Sequence, residues 1–343
     1  MSHDSKNMVS QTENDAPPVG KKRGCLNHTK RFWWAYGLAL CALIVLVVCL
    51  LIFVAVPKIA QKKMDAAVLD IQGVAVRDTK PDGYRMDVNS TMETDGSMHA
   101  DIDEFRADLV LTDVKDGLDP VFASLTFKKT PVEKLIKVNV SEEANITNRA
   151  GFTMFNTLMY QRESVRVIVR GETRIKPAGL NRKYSVKLFR NYVFKGLNRF
   201  QGATVDGLVD ITALKGTPNF KGKAVIPNRS IFTLEIGNAS FTNFADGQNL
   251  GTMTINNLVL RPGDNEVDVE AMLDQIKMLK IMTKRPYCET GIVPFDVLGT
   301  KVVNNGEELD YFTKALGSAN QTIDIDIGKI LRKSLPDLPV ACA

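Results

Sequence analysis

The segment VIVRGETRI at residues 167–175 has the alternating pattern of a β-strand, interrupted by one glycine. The segment FDVLGTKVV at residues 295–303 has the same shape, 128 positions later. A glycine within a strand usually marks a bulge or a close approach of two backbones. Gly171 and Gly299 therefore predict the same local feature twice, and the spacing indicates an internal repeat.

Further segments match at nearly the same spacing. They are FASLTF at 122–127 with LGTMTI at 250–255, and VNV at 138–140 with VDV at 267–269. Repeats of this length are domains, unlike the 20 to 50 residue units of solenoids. We therefore predict two tandem β-rich modules, at 70–200 and at 201–335, each able to hold its own core.

Apolar residues alternate with polar ones in several other short segments. The inward-facing sets are Tyr84, Met86 and Val88; Ile136, Val138 and Val140; Val165, Val167 and Val169; Phe232, Leu234 and Ile236; Val267 and Val269; and Ile323, Ile325 and Ile327. One helix is predicted in each module, at 145–161, capped by Asn145 or Thr147, and at 270–282. The expected fold is mainly β with a few helices, arranged as two antiparallel sandwiches.

Residues 32–56 carry no charged side chain, and as a helix they would span about 37 Å, which is enough to cross a bilayer. A cleaved signal peptide has a shorter apolar region nearer the N-terminus, so an uncleaved transmembrane signal anchor is favoured. Residues 1–31 lack apolar periodicity and predict a disordered cytosolic tail. A stalk at 57–69 and a C-terminal tail at 336–343 complete the predicted organisation.

The basic residues around the apolar segment indicate its orientation. Five Lys or Arg residues lie within 21–31, whereas three lysines follow the segment by residue 63. An excess of basic residues on one side of a span marks the cytosolic side. The bias therefore predicts a cytosolic N-terminus, with the large C-terminal part in a lumen or outside the cell.

Glycosylation sequons support the same orientation. Six of the 19 asparagines beyond the apolar segment begin an Asn-X-Ser/Thr sequence: Asn89, Asn139, Asn145, Asn228, Asn238 and Asn320. Chance would give about two or three, and such sequons are acceptors in secreted or lumenal proteins. We therefore predict that these asparagines carry glycans on exposed strands and loops.

The charge distribution narrows the class of partner. The net charge of the chain is +5, of which the first 31 residues contribute +3, so the part beyond the span is nearly neutral at +2. A nucleic-acid-binding domain needs a concentrated basic face for phosphate contacts, and none is evident from the sequence. Nucleic acid is therefore not an expected partner.

The chain has five cysteines, of which two lie within the apolar segment. Cys288 and Cys342 are the only two in the predicted lumenal part, where a disulfide between them would persist in oxidising conditions. The sequence does not establish whether they come close. Cys25 lies beside the basic cluster on the predicted cytosolic side, where palmitoylation is an alternative to a free thiol.

Residues with catalytic chemistry are scarce beyond the span. His99 is the only histidine there, whereas metal sites and nucleophilic dyads usually need imidazole. The acidic residues Asp101, Asp103, Glu104 and Asp108 lack an evident apolar pocket that would shift a pKa, so a solvated strand face is favoured. We predict no catalytic residues, no cofactor and no metal, and therefore a protein that is not an enzyme.

Five segments resemble a known family: MHADIDEFRADLVL at 98–111, SVRVIVRGETRIKPAGL at 164–180, FKGLNRF at 194–200, IPNRSIFTLEIGNASF at 226–241 and GTMTINNLVLRPGDNEVDV at 251–269. The chain resembles the fungal single-span vacuolar-membrane proteins whose ectodomain is a domain of unknown function, similar to the LEA type 2 (late embryogenesis abundant) fold. The resemblance implies a β-sandwich with a helix in each module, on the lumenal side of the vacuolar membrane or a related endomembrane. The plasma membrane, with an extracellular domain, is the alternative.

The resemblance also implies that lipid binds in an apolar groove along the sandwich. The candidate lining residues are Val138, Val140, Val167, Val169, Val267, Val269 and Phe295. The same residues would equally well form a closed core, because every sandwich needs alternating apolar positions. In that case the modules would be a lumenal scaffold that contacts another membrane protein and signals through the cytosolic tail.

Overall fold

The computed structural model describes residues 24–112, 119–214, 216–336 and 342, with side chains from residue 32 onward. Strands account for 50% of the structure and helices for 26%. The prediction of a mainly β chain with one N-terminal apolar helix is therefore confirmed.

The first compact unit is Met1–Val56. Helix α1 occupies Gly24–Leu50, and a π-helical turn at Leu51–Ala55 follows it. Most of the large apolar side chains described in this unit are exposed, and the helix is long and apolar enough to cross a membrane. Of the predicted disordered tail, residues 1–23 lie outside the described residues, and residues 24–31 are helical instead.

The second compact unit is Pro57–Ala343. Its helices are Val56–Ala66 (α2), Arg149–Gln161 (α3), Gln275–Met282 (α4), Tyr287–Thr290 (α5), Asp310–Leu316 (α6) and Ile327–Ser334 (α7). Its strands are Val68–Arg77 (β1), Gly83–Glu93 (β2), Ala100–Ile102 (β3), Phe105–Leu111 (β4), Val121–Phe127 (β5), Thr130–Pro131 (β6), Leu135–Lys137 (β7), Val140–Asn145 (β8), Ser164–Pro177 (β9), Tyr184–Lys195 (β10), Thr204–Val209 (β11), Phe220–Asn228 (β12), Phe232–Ala245 (β13), Gln248–Leu260 (β14), Gly263–Leu273 (β15), Ile292–Asn304 (β16), Glu307–Glu308 (β17) and Gln321–Asp326 (β18).

The strands form two sheets. The larger has twelve strands in the order β11-β12-β15-β14-β13-β1-β2-β7, with β16 also beside β13, β17 and β18 beside β16, and β8 beside β2. The smaller has six strands in the order β5-β4-β9-β3-β6, with β10 on the outer side of β9. Inward positions carry the predicted apolar side chains, as in β2, where Tyr84, Met86 and Val88 are buried and Asn89 is exposed.

The internal repeat is visible in the strand pairing. In the first half β4 pairs with both β5 and β9, and in the second half β13 pairs with both β14 and β16. Gly171 lies opposite Ala107, and Gly299 lies opposite Phe241 next to a register shift. A Cβ atom at Gly171 would lie 2.9 Å from the backbone oxygen of Arg106. Both glycines therefore mark a close approach, as predicted, and Gly299 also adjoins a bulge.

The two halves are not independent domains, which corrects the boundary predicted at residues 200 and 201. Strands β1 and β13 pair in parallel, with Val74 opposite Phe232, so the larger sheet crosses that boundary. The ring centroids of Phe152 on α3 and Tyr311 on α6 are 4.9 Å apart. Because α3 packs its aromatic residues against the other half, the two halves share one core.

Residues 57–69 are not a free-standing stalk, which corrects a second prediction. Helix α2 buries Ala60 and Met64 against the domain, and β1 already begins at Val68. The Gln61 amide donates to the Lys187 carbonyl oxygen at 2.9 Å, and the Lys187 N–H donates to Gln61 Oε1 at 2.8 Å. The helix therefore covers part of the outer edge of β10. Covering an edge strand in this way keeps its backbone groups from pairing with another chain.

Two details of the predicted helices are wrong. Asn148, instead of Asn145 or Thr147, caps α3, because its Oδ1 accepts the Gly151 N–H at 2.9 Å. On α4 the apolar face is Met278, Ile281 and Met282, and Ile276 is exposed. The helix begins at Gln275 and not at residue 270 as predicted, because residues up to Leu273 belong to β15.

Candidate ligand cavity

The second half of the domain encloses an apolar cavity of about 110 Å³. It lies between strands β11, β12, β13, β14, β15, β16 and β18 and helices α4 and α7. Seventeen apolar side chains and three amide side chains line it. No charged residue is among them, so the cavity suits an apolar group and offers few polar partners.

Helix α7 closes one side of this cavity. Ile327, Ile330 and Leu331 are buried and line it, whereas Lys329 and Lys333 are exposed on the opposite face. Apolar residues at positions i, i+3 and i+4 lie on one side of a helix, which explains this division. The Asp326 carboxylate caps the helix by accepting the Lys329 N–H at 2.7 Å.

An ionic clamp holds the outer face of α7 to the adjacent strand. The Asp206 carboxylate on β11 accepts hydrogen bonds from Lys333 Nζ at 2.7 Å and Lys329 Nζ at 2.9 Å. These hydrogen bonds lower the pKa of Asp206 to about 2, and the bond from Lys333 has the largest effect. A carboxyl group with a lower pKa in the folded than in the unfolded state stabilises the fold at pH values above its unfolded pKa of about 3.9. This stabilisation is lost as the pH falls towards 2. The clamp therefore stays charged in a mildly acidic compartment.

The C-terminal end of α7 is also fixed. The Val209 N–H donates to Ser334 Oγ at 2.9 Å, and Leu335 beyond the helix lines the cavity. The sulfurs of Cys288 on α5 and Cys342 are bonded, with Cα atoms 5.2 Å apart. The disulfide that the sequence left open is therefore present in the structure, and it ties the chain beyond α7 to α5.

The opening of the cavity is bordered by exposed apolar side chains. Ile211 is 56% exposed and Leu279 is 43% exposed, although both line the cavity. The Gln275 amide at the start of α4 donates to the Asp210 carbonyl oxygen at 2.9 Å, which brings the helix to the loop after β11. Ile276, one turn before Leu279, is exposed as well. An apolar ligand would therefore meet an apolar rim before it enters.

A second cavity of about 60 Å³ lies mostly in the first half, where Val167, Val169 and Phe155 line it together with Phe232 and Leu234 of β13. Cavities that hold drug-sized ligands measure about 300 to 1,000 Å³. Both apolar cavities are therefore small in the closed structure. Among the described residues no group of three or more His, Cys, Asp or Glu is placed to hold a metal ion.

The predicted groove residues do not come together in one site. Val167 and Val169 line the smaller cavity, and Phe295 lines the larger one. Val138 borders a separate space of about 40 Å³. Val140 and Val269 are buried and Val267 is partly buried, but they line none of these cavities.

Sequence reasoning missed helix α7, the element that closes the larger cavity. The alternation of Ile323, Ile325 and Ile327 predicts one strand, but the strand ends at Asp326 and Ile327 begins the helix. The signal that could have identified the helix is the capping aspartate followed by apolar residues at 327, 330 and 331.

Five of the six predicted glycosylation sites have exposed side chains: Asn89, Asn139, Asn145, Asn238 and Asn320. The sixth, Asn228, is 1% exposed. Its Nδ2 donates to the Phe232 carbonyl oxygen at 2.7 Å, and its Oδ1 accepts the Ser230 N–H at 2.9 Å. A glycan on this nitrogen is incompatible with the folded structure, so the prediction for Asn228 is corrected.

We expect Asn228→Ala to leave the number of N-linked glycans unchanged and to lower the free energy of unfolding by about 2 kcal/mol. The reason is that the substitution removes a buried hydrogen-bonding side chain and leaves the Ser230 N–H without its acceptor. Mass measurement before and after endoglycosidase treatment and denaturant unfolding test both parts. The matched variant Asn320→Ala should lose one glycan and keep its stability. Loss of a glycan in Asn228→Ala would contradict the assignment.

The remaining predicted residues lie on the surface or outside the described side chains. Asp101 pairs with Lys129 at 3.2 Å, and Asp103 pairs with Lys183 at 2.7 Å. These acidic residues therefore have separate lysine partners at the surface. His99 is exposed. Cys25 lies in the stretch of α1 whose side chains are not described, so its palmitoylation stays a prediction.

Comparison with known proteins gives one family match. Among solved structures, the chain is similar to the CupB6 tip adhesin from Pseudomonas aeruginosa at 7% identity, over 76% of this chain and 96% of the adhesin, with a TM-score of 0.21. That score is too low to support an argument about the fold. No curated protein matches the chain. Residues 121–243, from β5 into β13, match DUF3712, a family of proteins of unknown function.

Proposed function

We propose that the chain is a non-enzymatic single-span membrane protein whose second half binds an apolar ligand, an acyl chain, in the cavity beneath α7. The observation that carries the proposal is the wholly uncharged lining of that cavity together with its exposed apolar rim at Ile211 and Leu279. An acyl chain gains about 0.8 kcal/mol for each methylene removed from water. A lining without charged side chains supplies that gain without burying an ion beside the acyl chain.

The closed cavity accommodates only part of a long chain. Its volume of about 110 Å³ is below the usual range for ligand pockets. Met253 and Met278 belong to the lining, and methionine side chains readily adapt their shape. A longer chain requires α7 and Leu335 to move outwards, which breaks the contacts of Asp206 and Ser334.

The orientation and compartment belong to the same proposal. Basic residues before the apolar segment favour a cytosolic N-terminus, and the five exposed sequons fit a glycosylated lumenal domain. The resemblance to the fungal vacuolar-membrane family favours the vacuolar membrane or a related endomembrane. The clamp at Asp206 suits an acidic lumen, because its pKa is far below that of a free carboxyl group.

A lumenal scaffold that contacts another membrane protein is the second candidate function. The observation that favours it is the small volume of the described apolar cavities, since a closed core needs no ligand. In this case the domain would present its exposed surfaces to a partner, and the cytosolic tail would carry the signal.

A photoreactive fatty acid distinguishes the two functions. We expect the full chain in lipid nanodiscs, irradiated with a diazirine fatty acid, to be labelled on peptides that contain α4 and α7. Ala271→Leu places a larger side chain in the cavity lining and should lower this labelling at least about fivefold. The matched variant Ala123→Leu, in the smaller cavity, should not. Labelling confined to the spanning helix would reject the ligand function and favour the scaffold.

A further inference from the structure

The outer face of the smaller sheet carries a concentration of positive charge that the total charge of the chain conceals. Its exposed basic residues are Arg106 on β4, Arg166, Arg170 and Arg174 on β9, and Lys187 and Lys195 on β10. On the same stretch of these strands the acidic side chains are Asp108 and Glu172. We refer to this surface as the basic face. The basic and acidic residues named are those among the residues that the structure describes.

The strand register places these side chains on one side of the sheet. Asp108 on β4 and Phe189 on β10 both lie opposite Arg170, and Val193 lies opposite Arg166. Alternate residues of a strand point to the same side, so Arg166, Arg170 and Arg174 form a row. Further along β9, Lys176 lies opposite Asp101, so the excess of positive charge belongs to the part that faces β4 and β10.

Two large apolar side chains are exposed within the basic face. Phe189 is 55% exposed and Val193 is 65% exposed. Arginine forms bidentate hydrogen bonds with phosphate groups, and aromatic and aliphatic side chains enter the boundary between headgroups and acyl chains. A phospholipid surface satisfies both kinds of side chain at once.

Only a short stretch of chain separates the apolar segment from one residue of the basic face. Gln61 is hydrogen-bonded to the backbone of Lys187, and it is five residues beyond Val56, the last residue of the uncharged segment. Five residues span at most about 18 Å even when fully extended. The backbone of Lys187 is therefore joined to the end of the apolar segment by only these five residues and the hydrogen bonds of Gln61.

We propose that the basic face binds anionic phospholipid headgroups of the bilayer in which the chain is anchored. The charge of the face complements such headgroups, and the short tether selects this bilayer over a soluble partner. The inference is independent of the proposed ligand function, because the strands that line the cavity beneath α7 belong to the larger sheet. Docking would fix the domain against the membrane, with β10 and its covering helix α2 next to the bilayer.

Photo-crosslinking from the face tests the proposal on the full chain. The substitution Phe189→p-benzoylphenylalanine keeps an aromatic ring and adds a reactive carbonyl group. In nanodiscs of phosphatidylcholine with about one-fifth phosphatidylserine, irradiation should give lipid adducts at this position. We expect at least about fivefold fewer adducts in pure phosphatidylcholine, and a similar loss at high salt because of charge screening. The same reactive residue at the exposed position Asn320 should give few adducts.

Charge removal provides the second arm of the test. Combining Arg166→Gln, Arg170→Gln and Arg174→Gln should lower the adducts at position 189 about tenfold, since each basic residue near an anionic surface contributes to the attraction. The matched combination Lys221→Gln, Lys223→Gln and Lys277→Gln removes three exposed charges elsewhere and should have no effect. The salt experiment uses the unaltered basic face, so it remains decisive if the arginine variant unfolds.

Two results would overturn the proposal. Adducts to protein, either the nanodisc scaffold or another copy of the chain, with none to lipid would show that the face does not contact the headgroups. Equal lipid adducts with and without phosphatidylserine, unchanged by salt, would show that the position only lies near lipid. Neither result affects labelling of the cavity by the diazirine fatty acid, so failure here is distinguishable from failure of the proposed ligand function.

Discussion

Replacing Cys342 by serine should lower the free energy of unfolding of the domain by about 4 kcal/mol. The bond between Cys288 and Cys342 closes a loop that spans 54 positions of the chain. In the chain-entropy account, a crosslink over a loop of this length removes many conformations of the unfolded chain, and the unfolded state becomes correspondingly less favourable. Denaturant unfolding of the purified full chain under oxidising conditions measures the difference.

Three controls separate the loss of the bond from other effects. Addition of a reductant to the unmodified chain should give the same loss as the substitution. The double variant Cys288→Ser with Cys342→Ser should lose no more than either single variant, because both remove one bond. Replacement of the exposed free cysteines Cys41 and Cys49 should change nothing. Equal stability of the oxidised and reduced chains would show that the bond does not form in the protein.

Local patterns predict the strands of this chain well. The alternation in residues 84–88 and 165–169 reports burial on one face, and the buried positions there are the expected ones. The repeated strand with its glycine also has a structural counterpart, because β9 and β16 pair with β4 and β13 in the same way. These features depend on residues that are close together in the sequence or on one repeated contact.

The merging of the two halves could not be predicted in this way. The parallel pairing of β1 with β13 joins Val74 to Phe232, and no local pattern distinguishes this partner from others. The aromatic residues of α3 would have the same spacing if they packed only within the first half. Because Phe152 contacts Tyr311 and Phe155 contacts Phe232, the two halves form one compact unit.

The same limit applies to the surface and to the candidate site. The sequon at Asn228 has the right local sequence, but burial by strands distant in the chain occupies its amide group. A net charge of +2 beyond the span suggests no basic face, yet strand register places three arginines of β9 on the same side of the sheet as Lys187. An average over the whole domain does not report how charges are distributed over its faces.

Gly299→Ala should lower the free energy of unfolding by about 3 kcal/mol, which makes it the second large effect expected in this chain. A Cβ atom at Gly299 would lie 2.4 Å from the Cβ of Leu316 and 2.9 Å from its carbonyl carbon. These atoms belong to the end of helix α6, so relief requires a shift of the helix backbone and not only a change of side-chain rotamer. Thermal and denaturant unfolding of the full chain measure the loss.

The matched control is Gly73→Ala in strand β1. There the nearest atom to the added Cβ, the backbone oxygen of Ile231, is 4.0 Å away, and alanine restricts the unfolded chain more than glycine does. The control should therefore change stability by less than about 0.5 kcal/mol. Gly171→Ala should be intermediate, because its closest contact is 2.9 Å from the Arg106 oxygen. If Gly299→Ala and Gly73→Ala unfold alike, α6 does not press against β16 at Gly299, and the close approach inferred from the repeated glycine is wrong.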